Sequence, residues 1–336
     1  MKAFVITAPR ETAVLDVDAP VARPGEVIVD VARAGVCGTD VEFYTGEMQY
    51  LHDGHAGFPM RIGHEWMGRV SAVGEGVDPS WVGRRVTGDT MLGCQRCDRC
   101  RDGRQHVCEF RTEIGIRDGR PGALAEHLPV PEFALLPLPD SVDDAMGALV
   151  EPGGNALRSV RGAQLRPGDR VLVLGAGTIG LLVAMFARAE GAEVHVLGRS
   201  ARSLDFARSL GFENAWNDDS LPERPWDAVI DASNAAPLPA RAVDLVEPGK
   251  RVVYVGLAGT PSLVDSRMIA LKDVTAVGVL SASGGLEGAI DAYASGLVDP
   301  RPLVAATVPL DQAAGVLAGE RPAGSGDGPK FHIAIR

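Results

Sequence analysis

The sequence predicts a two-domain α/β protein, in which a β-rich N-terminal unit is joined to a doubly wound parallel sheet. Three observations carry that prediction. Residues 170–174 form a short apolar, β-branched run that turns at Gly175-Ala-Gly177-Thr-Ile-Gly180 into an apolar-rich helical segment, 181–189, followed by a second apolar run at 194–197. Such runs are the mark of parallel strands covered on both faces. The alternation of strand and helix then continues to about residue 280, as a parallel sheet requires. Residues 1–35 differ, with short apolar runs split by turn residues, the pattern of a β-rich unit. With 336 residues, 46% hydrophobic and 23% charged, the chain can bury two cores.

Taken in order, the first strands are expected at 2–7, 13–17 and, after Arg23-Pro-Gly25, 26–34. A polar loop with glycines occupies 45–57, and 62–74 reads as a glycine-punctuated pair of strands. Ser141 is a candidate helix cap, and the helix it opens would deliver Glu151 at its C-terminal end. Beyond Ser200, helices at 203–210 and 240–245 alternate with strands near Ala215-Trp216 and at 227–233, 251–256 and 273–280. Six strands fit the order 3-2-1-4-5-6, with ligand at their carboxyl ends. Residues 324–328 read as a short flexible loop and 330–336 as a last strand.

Each glycine of the turn has a task. Gly175 permits the bend, Gly177 lets the backbone approach a pyrophosphate, and Gly180 allows close helix–strand contact. Thr178 and Ile179 between them open the helix, whose free N–H groups and positive dipole end suit an anion. A turn of this kind between strand and helix predicts a dinucleotide site. About 20 residues on, where an acidic residue would bind a ribose 2′-hydroxyl, stand Gly198, Arg199 and Ser200, with Arg202 close behind. No carboxylate repels a 2′-phosphate there, and Arg199 can clamp one. NADP(H) is therefore expected over NAD(H), against the plainer reading of Arg199 and Arg202 as solvated helix-start residues.

Four of the five cysteines, Cys94, Cys97, Cys100 and Cys108, fall within fifteen residues. This spacing favours a closed tetrahedral Zn²⁺ site over disulfides, with an iron–sulfur cluster as the competing occupant. Arg96, Arg99, Arg101 and Arg104 are placed to offset the thiolate charge. Cys37 is left over, a small buried hydrophobe or, with His64, Glu65 and Glu151, part of an open zinc site. His52 and His55 are expected to be solvated loop residues. His106, His127, His195 and His332 lack a carboxylate or Cys partner at ligand spacing, so structural roles are expected.

Cys37-Gly-Thr39-Asp40, Gly63-His64-Glu65, the four-cysteine segment, Glu151-Pro152 and Gly175–Gly180 occur in the order found in zinc-dependent medium-chain alcohol dehydrogenases, which the chain resembles to about residue 280. Its Glu-Pro resembles the sorbitol (polyol) and threonine dehydrogenase branch. The resemblance implies a GroES-like catalytic domain (1–152 and 285–336, with a structural-zinc lobe at about 93–109) and a Rossmann domain (153–284). Residues 122–130 would close the catalytic domain. It implies catalytic roles for Cys37, Thr39, His64, Glu65 and Glu151: Cys37 and His64 as zinc ligands, Glu65 as a ligand or exchanging carboxylate, Glu151 on the metal or its water. Thr39 would receive the substrate proton and Asp40 would orient His64. Glu42 stands where the family often has a histidine relay. Val255, Gly256, Leu257 and Ser281 would flank the nicotinamide, with plain strand-end punctuation as the rival reading of Ser281.

The implied activity is hydride transfer between NADP(H) and a secondary alcohol or polyol, or the corresponding ketone. An aldose 1-dehydrogenase, an activated C=C or C=N reductase, and a non-catalytic dinucleotide-binding protein are alternatives. A net charge of −11 with no basic stripe argues against nucleic acid. No stretch has the apolar length of a membrane span, so a cytoplasmic protein with a small-molecule partner is expected. A homodimer or homotetramer is what the resemblance suggests.

Overall fold

The computed structural model describes residues 1–335; Arg336, expected in the last strand, lies outside the described residues. The nucleotide-type sheet has six parallel strands in the order Ala215–Trp216, Glu193–Leu197, Arg170–Leu174, Trp226–Asp231, Val246–Tyr254, Thr275–Gly278, the expected 3-2-1-4-5-6. In its first strand Val171 and Val173 enter one core while Leu172 and Leu174 enter another. Because successive side chains alternate between faces, a strand buried on both must be apolar throughout. All carboxyl ends share one edge, where the Gly175–Gly180 turn lies.

The second sheet has seven strands, ordered Val304–Pro309, Lys330–Ala334, Glu26–Val36, Glu65–Val73, Arg85–Gly88, Leu135–Pro137, with His127–Pro131 on Glu26–Val36. Lys330–Ala334 pairs antiparallel with the end of Glu26–Val36, setting Phe331 opposite Val36. The C-terminal segment is thereby returned to the strand that leads into Cys37.

Several expectations are corrected. Residues 62–74 contain one strand, Glu65–Val73, not two; Gly63 has φ 99°, which breaks any extension toward residue 62. Asp143, not Ser141, caps the helix before Glu151, its carboxylate accepting from Met146 N at 2.9 Å. That helix is short, Asp144–Ala148, and a second, Val150–Ala163, places Glu151 in its first turn rather than at a helix end. Pro152 accounts for the restart, since proline is tolerated only in a first helical turn. Elsewhere the helices Thr178–Ala189, Ala201–Ser209 and Leu238–Leu245 begin earlier than their apolar stripes, because capping residues Gly177 and Ser200 set two of the starts.

Two histidines have carboxylate partners that sequence spacing did not reveal. His127 Nδ1 lies 2.8 Å from Asp30 Oδ1 because the strands pair those residues. His195 Nε2 lies 2.8 Å from Glu193 two residues back on the same strand face, and its Nδ1 accepts from Trp216 Nε1 at 3.0 Å. His55 is half-buried, packed edge-on against Tyr50 and 3.3 Å from Asp118, whereas His52 is exposed. The 324–328 loop is tied by Arg321 to Gly326 O and Gly328 O, and by Asp327 to Arg202 at 3.1 Å.

Candidate metal and cofactor sites

Cys37 caps the helix Gly38–Thr45, and Asp40, fully buried in its first turn, organises the surrounding chain. Its Oδ2 accepts from Cys37 N at 2.9 Å and its Oδ1 from Gly63 N at 3.1 Å. Gly63 is required there: its φ is positive, and a Cβ would lie 2.9 Å from Leu124 N. These two bonds bring His64 beside Cys37. His64 is buried, with Nδ1 3.6 Å from Asp40 Oδ1, and Thr90 Oγ1 donates to its carbonyl at 3.1 Å.

One donor atom each from Cys37, His64 and Glu65 fall within 4.8 Å of one another. A set of one half-buried thiol, one buried imidazole and one buried carboxylate fits a Zn²⁺ site with an open position. The electrostatics agree. Burial works against a charged His64, yet the Asp40 and Cys37 charges push its imidazole well above the ordinary value. That anionic surrounding equally favours a dication. Glu151 stands outside the set, its Oε1 accepting from Asn155 Nδ2 at 2.8 Å. Burial pushes its carboxyl up to about 7; the His64 charge opposes this and the Glu65 charge adds to it.

Lys330, whose position sequence spacing did not tie to the site, completes it. Only 3% exposed, it donates from Nζ to both Glu65 oxygens at 2.7 Å and to Val36 O at 2.9 Å. Despite the opposing effect of burial, the charges of Glu65 and Cys37 hold its ammonium above the ordinary value. Room for this pair comes from Gly35, where a Cβ would lie 2.1 Å from Glu65 Oε2. The one available signal was that Lys330 is among only four lysines in the chain and sits in an apolar run.

The four-cysteine lobe is a second cluster. Cys94, Cys97, Cys100 and Cys108 bring all four sulfurs within 4.8 Å, with Cys94–Cys100 at 4.0 Å and Cys97–Cys108 at 3.8 Å. Tetrahedral zinc with Zn–S near 2.3 Å needs sulfurs about 3.8 Å apart, so the donor set fits. N–H groups of Arg96 and Cys97 pull the Cys94 thiol down to about 6, while burial and the adjacent thiols push Cys100 up to about 12. A cation among them removes that conflict. Arg99 and Arg101 bond the loop carbonyls of Val107 and Arg96.

At the sheet edge, Gly175 has φ 109° and a Cβ on Gly180 would lie 1.9 Å from Gly175 O. Gly177 differs: a Cβ there meets no protein atom, so its lack of a side chain leaves space above a helix N-terminus, as a pyrophosphate needs. Gly198 is glycine for packing, since a Cβ would lie 2.8 Å from Leu204 Cδ2. Arg199 is exposed, and Ser200 Oγ caps the next helix. Gly256 is pressed against Ser233 O, Val255 N and Gly256 N donate to Asp231 O, and Ser281 has φ 64°.

Two outcomes are expected. Lys330→Met strands the buried Glu65 charge and should lower unfolding free energy by about 3–5 kcal/mol in urea titrations, with Glu65→Leu/Lys330→Met recovering part of the loss. Glu151 titrates higher folded than unfolded, so its contribution to stability is full below about pH 4.5 and fades as pH rises through about 7. In protein stripped of its cleft ion, Glu151→Gln should flatten the fall in denaturation midpoint between pH 5 and 8; an unchanged slope would contradict this.

The chain matches the model of the alcohol dehydrogenase GroES-like domain over residues 23–140 and that of the zinc-binding dehydrogenases over residues 178–295. It is 31% identical over 291 residues to an L-threonine 3-dehydrogenase of Sinorhizobium fredii, covering 83% of each chain. An alcohol dehydrogenase of Escherichia coli CFT073 complexed with NADH matches with TM-score 0.91 at 28% identity, over 100% of this chain and 99% of that one. A zinc-binding dehydrogenase of Sinorhizobium meliloti bound to NADP matches with TM-score 0.88 at 27% identity, over 99% of each. The chain belongs to the zinc-dependent medium-chain alcohol dehydrogenases, oxidoreductases acting on CH–OH donors.

Proposed function

We propose that this enzyme transfers hydride between NADP(H) and a secondary alcohol or polyol, or the corresponding ketone, at a zinc held by Cys37 and His64 with Glu65 as third donor. The observation that carries this reading is the convergence of those three donors within 4.8 Å beside a second domain whose glycine turn suits a dinucleotide. Bound there, zinc supplies Lewis acidity toward the substrate oxygen and the nicotinamide supplies the hydride acceptor.

The chain's own groups do the rest. Asp40 fixes the Cys37 and Gly63 backbones, and so the spacing of thiol and imidazole. Thr39, in the first turn of the helix that Cys37 caps, is placed to take the substrate hydroxyl proton at Oγ1. Glu42, one turn on, is our candidate to pass it outward; burial first, then the Glu47 charge, raises its carboxyl above the ordinary value. Lys330 keeps Glu65 oriented, and Glu151 is the nearby group able to hold a proton close to neutral pH.

For the cofactor, we favour NADP(H) over NAD(H). Gly198 has no space for an acidic side chain, and Arg199 is exposed and makes no side-chain hydrogen bond or ion pair among the described residues, leaving it available to a 2′-phosphate. The relatives solved with NADH and with NADP support a nicotinamide cofactor without choosing between them. Val255, Gly256 and Ser281, at the ends of the fifth and sixth sheet strands, flank the nicotinamide in this reading.

We further infer a homo-oligomer. Leu263 and Leu271, in the segment leading into the edge strand Thr275–Gly278, are 94% and 80% exposed, and that edge has no strand partner among the described residues. A cytoplasmic location accords with four clustered cysteines grouped as a metal-ligand set rather than paired as disulfides. No helix among the described residues is long and apolar enough to cross a membrane.

Metal analysis should find two zinc ions per chain, falling to one in Cys37→Ser together with a loss of turnover greater than about a hundredfold; full turnover in that variant would overturn the metal assignment. Arg199→Ala should lower kcat/KM with NADPH by about tenfold or more while leaving NADH nearly unaffected. A wild-type preference for NADH would defeat the cofactor assignment.

A further inference from the structure

The end of the sixth nucleotide-sheet strand is held partly from outside its own domain. Past Gly278 the chain turns through Ser281, whose φ of 64° is one that a residue with a Cβ adopts only under constraint. Two sets of bonds supply it. Arg158, on the helix Val150–Ala163, donates to Leu280 O and Ser281 O. Ser283, only 2% exposed, donates from Oγ to Asp89 Oδ1 at 2.9 Å, across 194 positions of sequence.

Asp89 follows the strand Arg85–Gly88 of the other sheet and is 8% exposed. Its Oδ1 also accepts from Met91 N, and its Oδ2 from Gln105 Nε2, each at 2.9 Å. Gln105 lies between Cys100 and Cys108 in the four-cysteine lobe. Its neighbour His106, also buried, faces Arg158 Nη2 with Nε2 at 3.4 Å. Two routes thus run from the lobe to one loop: Gln105 to Asp89 to Ser283, and His106 to Arg158 to Ser281. The hydride chemistry has no use for a buried carboxylate here, and burying one is costly unless its bonds hold something in place.

We propose that Asp89 is a positioning residue for the nicotinamide end of the cofactor site and that the four-cysteine lobe is its anchor. The lobe then acts on cofactor affinity as well as on stability. This rests on the placement of Ser281 beside the nicotinamide proposed above. With the loop pinned in its constrained conformation, the cofactor meets a preformed wall; with it released, binding must order the loop, and the cost appears as weaker affinity rather than slower chemistry.

The test is titration of purified, zinc-loaded enzyme with NADPH and NADH, followed by nicotinamide fluorescence. Asp89→Ala and Ser283→Ala should weaken binding of the preferred cofactor by about tenfold, and Gln105→Ala in the same direction. Zinc content should stay at the wild-type value, and kcat at saturating cofactor should be little changed. Asp89→Asn should stay within about twofold of wild type, because its amide oxygen still accepts from Met91 N and Ser283 Oγ while Gln105 turns its amide over. A purely structural role would lower the melting temperature and leave Kd alone, which overturns the proposal. If Asp89→Ala does not fold, Gln105→Ala, which deletes its single bond to Asp89, and Ser283→Ala, which deletes the bonds to Asp89 and to Ser281 Oγ, decide. Wild-type enzyme that binds neither nucleotide overturns the cofactor placement and this coupling together; wild-type binding with unchanged Kd in the variants overturns the coupling alone.

Discussion

A buried ion pair between the two ends of the chain governs this molecule. Glu65 and Lys330 are 265 positions apart and almost fully shielded from water, yet both carboxylate oxygens meet one ammonium. In a medium of low effective dielectric, neither charge is tolerable alone. The strand Lys330–Ala334, seated beside Glu26–Val36, is therefore needed for Glu65 to keep its charged place in the thiol, imidazole and carboxylate cluster.

Charge balance explains the rest of the site. Cys37, Asp40 and Glu65 gather around His64, with the buried Glu151 near enough to feel its charge, and the chain answers with one lysine and a set of backbone N–H groups. The lobe repeats the logic with four thiols and backbone donors. In both places several acidic groups share little space, and a bound dication would balance their charge.

The seam between domains is polar as well as apolar. Ser283 donates to Asp89, Arg158 faces His106, and Arg202 pairs with Asp327. These bonds join the helix Val150–Ala163, the four-cysteine lobe and the carboxyl edge of the nucleotide sheet into one frame. Directional bonds of this kind set angles and distances that apolar packing leaves loose, as a hydride donor and acceptor held in separate domains require.

Local patterns in the chain determined much by themselves. Alternating apolar runs specified the strands and helices of a parallel sheet, the glycines specified a tight strand-to-helix turn, and the cysteine spacing specified a four-thiol cluster, because each depends on residues near one another in sequence. Helix starts were missed where a cap rather than an apolar stripe sets the boundary, as at Asp143 and Gly177. Only the tertiary structure decided what depends on long-range register. It paired Lys330 with Glu65, His127 with Asp30 and Ser283 with Asp89, and placed Glu151 in the first turn of a helix outside the three-donor cluster. Those contacts arise when strands align or domains dock, and no periodicity in the chain encodes the identity of a partner so distant in sequence.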